Sequence, residues 1–187
     1  TAAETVASCG KTPVVMTYWN LIEQYGPDVF ARDLAAAGGA GVITPDLTPD
    51  EADEWIAATD AHGLDRIFLI APSSTPERIA MTMAACRGWV YATSVMGVTG
   101  VRRGTSLAAP VIAARAREID PGLPVGVGMG GGNGDQAAEV GAYADAVIVG
   151  SALVRCLASD GADMPGDLER LGILSAELAD GARRSSK

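Results

Sequence analysis

The stretch Leu123-Pro124-Val125-Gly126-Val127-Gly128-Met129-Gly130-Gly131-Gly132-Asn133-Gly134, which runs on through DQAAEVGAYADAVIV to Gly150-Ser151, decides how this chain is read. A short apolar run, residues 123–127, ends in glycines. An alanine-rich polar segment, residues 135–143, follows, and a second apolar run, residues 146–149, ends in Gly150-Ser151. Two buried strands joined by a helix, each closing on glycine, suit the phosphate site of a βα barrel, which forms in the loops after strands 7 and 8. Glycine lets main-chain N–H groups approach an oxyanion with no Cβ in the way. The first turn of a helix adds unpaired donors and a favourable dipole. Two other readings stand beside this one. Gly126-x-Gly128-x-x-Gly131 with Asp145 further on fits a dinucleotide fingerprint. That turn normally opens its fold, whereas here it comes late. The other is an ordinary flexible turn.

Working outward, short apolar runs alternate with amphipathic segments, the pattern of parallel βα units. Strands are expected at residues 13–17, 42–44, 66–70, 89–94, 123–127 and 146–149. Residues 2–9 read as the end of a helix stopped by Gly10. Further helices are expected at 28–37 with Gly38 as cap, and from the capping box Thr48-Pro49-Asp50-Glu51 to about Ala61. Others are expected from Thr75-Pro76-Glu77 to about Cys86, and at 107–119, 135–143 and 151–158. A last helix at 167–184 is expected to break or fray at Gly172, with loops at 95–106 and 160–166 and a disordered tail at 185–187. Every connection contains a helix, so the class is α/β. A closed TIM (β/α)8 barrel needs eight strands and typically about 250 residues. The shortfall is the size of two βα units, and the helix before the first strand implies that something preceded it. The expected architecture is therefore one incomplete TIM-barrel domain over residues 1–184, holding strands three to eight. A complete open sheet of six strands is the alternative.

Composition narrows the partners. With 187 residues, 48% of them hydrophobic, the chain is long enough for one domain with a real core. Its net charge of −9 and lack of basic runs speak against nucleic acid or an acidic membrane surface. Arg102-Arg103 and Arg183-Arg184 read as solvated surface. Cys9, Cys86 and Cys156 lie far apart and read as buried small hydrophobes. His62, the single histidine, sits before Gly63 where a cation suits a helix C-terminus. One such histidine builds neither a Ser–His–Asp site nor a histidine-based zinc site. No apolar stretch has the length of a membrane span and no signal peptide is visible, so a cytoplasmic location is expected.

Several motifs then come together in one order. They are Pro13-Val14-Val15-Met16-Thr17-Tyr18-Trp19-Asn20, Ile43-Thr44-Pro45-Asp46-Leu47, Ala71-Pro72-Ser73-Ser74-Thr75, Ser94-Val95-Met96-Gly97-Val98-Thr99-Gly100, Gly126-Val127-Gly128 and Val149-Gly150-Ser151-Ala152. In this series the chain resembles the tryptophan synthase alpha subunit family, and the GVTG block is the most specific part. The resemblance implies an indole-3-glycerol-phosphate lyase that passes indole to a beta subunit, the pyridoxal phosphate being held by that partner and no cofactor by this chain. It implies that Gly100, Gly128, Gly150 and Ser151 contact the substrate phosphate, that Tyr18 and Tyr91 line the indole pocket, that Thr99 belongs to a closing lid loop, and that Asn20 faces the beta subunit.

The residue chemistry runs in the same direction. A Schiff-base aldolase would need a lysine at a strand end, and the only lysines are Lys11 and Lys187. No clustered His or carboxylate set suggests a metal. Acid–base catalysis by carboxylates is left. The family's catalytic glutamate and aspartate have no counterpart here and are expected upstream of residue 1, so no catalytic residue is assigned and the chain as given is expected to be inactive. Asp46, just beyond a strand, reads as a turn residue. The Met129–Gly134 loop is richer in glycine than the family leads one to expect and should be looser. Other phosphate-binding barrels, such as a sugar-phosphate epimerase or a histidine-pathway isomerase, and a non-catalytic truncated paralogue are the competing readings.

Overall fold

The computed structural model describes residues 1–93, 108–130, 132–158 and 161–184. The chain divides into two compact units, Thr1–Ile70 with Thr75–Val90, and Ala71–Ser74 with Tyr91–Lys187. In chain order the first unit carries α1 (Ala2–Ser8), β1 (Val14–Met16), α2 (Trp19–Tyr25), α3 (Pro27–Ala36), β2 (Gly41–Ile43), a single 3-10 turn (Pro49–Glu51), α4 (Asp53–His62), β3 (Asp65–Ile67), β4 (Leu69–Ile70) and α5 (Pro76–Ala85). Strand β5 (Val90–Ala92) begins in the first unit and ends in the second. The second unit goes on with α6 (Ala108–Ile119), β6 (Val125–Gly128), α7 (Gly134–Gly141), β7 (Ala146–Ile148), α8 (Ser151–Cys156) and α9 (Met164–Arg184).

In the first unit β1, β2 and β3 are adjacent and parallel, with Val15 opposite Val42 and Val42 opposite Arg66. The middle strand β2 is buried along its whole length, as a strand covered on both faces must be. The core collects around Trp55, which is fully buried and takes Trp19 edge-on at 6.1 Å and Phe30 at 6.2 Å. Ile22, Leu34, Val42, Leu64 and Phe68 complete it. The expected strand at 66–70 is split into β3 and β4, because Phe68 between them turns wholly into this core.

Three expectations here need correction. Helix α2 was not anticipated: it buries only Ile22, so its periodicity is faint, and its start is held from far along the chain. The Trp19 N–H donates to Asp46 Oδ1 at 2.9 Å. The capping box at Thr48 does not form. Its side chain caps nothing, Pro49–Glu51 makes one 3-10 turn, and α4 starts only at Asp53. Ala52, fully buried at φ −107°, turns into the core and interrupts the helical path, while Asp50 pairs with Arg78 of α5. Cys9 is exposed, because α1 buries none of its residues, and Cys86 and Cys156 are half-buried. His62 bridges helices as its Nε2 meets Asp28 Oδ1 at 2.8 Å.

In the second unit the strand order is β5-β6-β7, with Val127 opposite Val147 in parallel register. Val125 and Val127 of β6 and Ile112, Ala113 and Ala116 of α6 are buried to completion. Helix α9 corrects a further expectation. It starts at Met164 and runs unbroken through Gly172 to Arg184. A mid-helix glycine costs about 1 kcal/mol against alanine. The docking of α9 on α7 outweighs that cost, with Leu178 and Gly181 buried. The tail at 185–187 lies outside the described residues. No helix among the described residues is long and apolar enough to cross a membrane.

Candidate functional site

Strand β6 delivers Gly128 to its C-terminal end, half-buried, directly against Tyr91 of β5. A Cβ placed on Gly128 would stand 2.5 Å from the Tyr91 hydroxyl and 3.2 Å from its ring carbons. Glycine is required here by this close approach. Burial raises the Tyr91 phenol above its ordinary range, so it is neutral at physiological pH. The loop after Gly128 then folds against the next βα connection. A Cβ on Gly132 would come 2.5 Å from the Ala152 Cβ in α8. The β6–α7 loop is thereby set beside α8, whose first residues are Gly150, its cap, and Ser151, both exposed.

The end of the glycine-rich loop next to α7, residues 132–134, is held by hydrogen bonds. Asn133 caps α7 by accepting the Gln136 N–H at 2.9 Å, and Gln136 Oε1 in return accepts the Gly132 N–H at 3.0 Å. The Gly134 N–H donates to Glu177 Oε1 on α9 at 2.8 Å. A Cβ on Gly134 would stand 2.7 Å from the Glu177 carbonyl oxygen, and one on Gly181 would overlap the Gly134 carbonyl group. Gly132 and Gly134 are therefore packing glycines. The Asn-x-x-Gln spacing was a legible capping signal. The pairing of Gly134 with Gly181 was not, since it joins positions far apart in the chain.

The dinucleotide reading fails on two counts. Gly126, the first glycine of the fingerprint, is buried inside β6 rather than in a turn. Asp145 is occupied at the opposite end of the strands, where its carboxylate accepts the Val125 N–H at 2.9 Å and meets Arg117 at 3.0 Å.

In the first unit Tyr18 follows β1 and is 62% exposed, and Asn20 is exposed on the first turn of α2. Asp46, expected as a turn residue, accepts the Trp19 N–H at the start of α2, as described above. Gly100 and Thr99 lie outside the described residues. Among the described residues no group of three or more His, Cys, Asp or Glu side chains is placed to hold a metal ion.

Comparison with known proteins bears on the whole chain. A family model described as "Tryptophan synthase alpha chain" matches residues 3–183. The chain is 62% identical over 181 residues to the tryptophan synthase alpha chain of Acidothermus cellulolyticus, covering 97% of this chain and 66% of the relative. It is 60% identical over 184 residues to that of Mycobacterium ulcerans, covering 98% and 65%. A solved structure of Mycobacterium tuberculosis tryptophan synthase superposes with a TM-score of 0.88 at 54% identity, over 97% of this chain and 66% of the other. The chain thus spans about two thirds of the length of these relatives. Its fold is that of a TIM barrel, of which the described residues carry part of the strands.

Proposed function

The chain belongs to the tryptophan synthase alpha chain family, and from that premise we propose that the full-length protein cleaves indole-3-glycerol phosphate to indole and glyceraldehyde 3-phosphate. The indole passes to a beta subunit that holds the pyridoxal phosphate, and the reaction takes place in the cytoplasm. In this reading Gly100, Gly128, Gly150 and Ser151 hold the phosphate through main-chain N–H groups and one hydroxyl. Tyr91, neutral and half-buried beside Gly128, and Tyr18 flank the indole ring. Thr99 rides on a loop that closes the site, and Asn20 faces the beta subunit.

The single observation that supports this reading best is the seating of Gly132 on Ala152. It sets Gly132, in the connection after β6, against α8 next to Gly150 and Ser151, and in this reading main-chain donors of the two βα connections share one oxyanion. Such preorganised donors need no rearrangement when charge arrives. The phosphate then serves as a handle, and its binding energy orients the glycerol chain for carbon–carbon cleavage. The proton transfers fall to a glutamate and an aspartate outside these 187 residues. Each positioned acid or base of that kind is worth about 10² to 10⁴ in rate. Incubating the full-length gene product with indole-3-glycerol phosphate tests the proposal. Indole release, stimulated by the beta subunit, is expected; no indole even with the beta subunit present would overturn it.

A further inference from the structure

The phosphate site as proposed above is built from neutral groups, glycine main chain and one hydroxyl. A phosphate monoester carries roughly 1.5 to 2 negative charges near pH 7, and this chain already has a net charge of −9. A cation close to the loop would remove that imbalance.

We propose that Arg155 of α8 is that cation and that it sets the affinity for the phosphoryl group; the proposal rests on the functional reading above. Three observations carry it. First, Arg155 stands four residues after Ser151, and positions i and i+4 of a helix share a face. Helical side chains also lean toward the N-terminus, a general tendency that directs a side chain at this position back along α8 toward Ser151. Second, its Nη2 stands 4.0 Å from the place a Cβ would take on Gly132, which brings the guanidinium to the lip of the glycine-rich loop. Third, no carboxylate or carbonyl oxygen among the described residues pairs with Arg155. The other described arginines each face a carboxylate or carbonyl oxygen, as Arg66 faces Asp60, Arg117 faces Asp145, Arg184 faces Asp135, and Arg115 the Ser74 carbonyl. Arg155 has no such partner among the described residues. A planar guanidinium at that position can give two parallel N–H···O bonds to one phosphoryl group, which an ammonium cannot.

The test compares wild-type full-length protein, in complex with the beta subunit, with Arg155→Ala, Arg155→Lys and the surface control Arg183→Ala. A hydrogen bond to a charged group is worth enough to raise KM for indole-3-glycerol phosphate about tenfold or more in Arg155→Ala. The inhibition constant of inorganic phosphate should rise in parallel, with kcat little changed. Arg155→Lys should recover part of the loss, and Arg183→Ala should behave as wild type. Titration calorimetry with inorganic phosphate reads the same loss without turnover, so it decides the role of Arg155 even if the wild type makes no indole and the functional reading falls. Unchanged KM and phosphate affinity in Arg155→Ala would overturn the inference. So would a fall in kcat alone, which would mark a structural role.

Discussion

Replacing Gly181 with alanine should destabilise this protein, although alanine is the better helix former. Gly181 lies inside α9 and is buried against the start of α7. A Cβ there would overlap the Gly134 carbonyl oxygen and come within 2.6 Å of its carbon and 2.7 Å of its Cα. Carbon atoms pack at about 3.5–4.0 Å, so α9 must retreat from α7 by roughly 1 Å. The obstacle is main chain and cannot rotate aside. Overpacking of this kind costs about 1–3 kcal/mol, and the upper half of that range applies. Gly172 provides an internal control. It lies in the same helix, and a Cβ there would meet nothing within 4 Å. Both substitutions gain the same propensity, about 1 kcal/mol, so the difference between the two variants isolates the packing cost at about 2–3 kcal/mol. For a domain of this size 1 kcal/mol corresponds to about 2–4 °C. Thermal unfolding followed by circular dichroism should therefore place Gly181→Ala roughly 4–12 °C below Gly172→Ala. The retreat would also stretch the 2.8 Å bond from the Gly134 N–H to Glu177 Oε1 and loosen the loop ahead of α7. Equal midpoints for the two variants would refute the claim that these glycines exist to let the helices touch.

Three other outcomes follow from named residues. Gly128→Ala drives a methyl group into the Tyr91 hydroxyl, and an overpacking cost of that order should raise KM of the full-length protein about tenfold. Adding Tyr91→Phe removes the closest atom and should restore much of the loss, so steady-state kinetics showing no recovery in the double variant would contradict the geometry. Burial pushes the Cys86 thiol up to about 11, from an ordinary value near 9.0. At pH 8 alkylation should therefore mark exposed Cys9 long before Cys86, as read by peptide mass spectrometry. Because the folded value lies above the unfolded one, the stabilising contribution of the neutral thiol is complete below about pH 9 and is lost as pH rises toward 11. Urea midpoints should fall across that window and fall less in Cys86→Ala; equal slopes would count against a buried thiol.

The alternation of short apolar runs and helices could be read directly from the chain, because each strand and most helices declare themselves within a window of a few residues. The six strand stretches, the glycine ends of β6 and β7 and the place of Ser151 at the start of α8 were legible for that reason. What the sequence hid depends on residues brought together from afar. Helix α2 is started by Asp46 from beyond the next strand. The capping box at Thr48 yields to the burial of Ala52. The glycines of residues 132–134 look like slack in one dimension and prove to be contact surfaces for Ala152, Glu177 and Gly181 in three. Local pattern specifies which way the backbone turns. Only packing decides which glycine is free and which is touched, since a missing Cβ shows its purpose only when the neighbour that needs the space is in place.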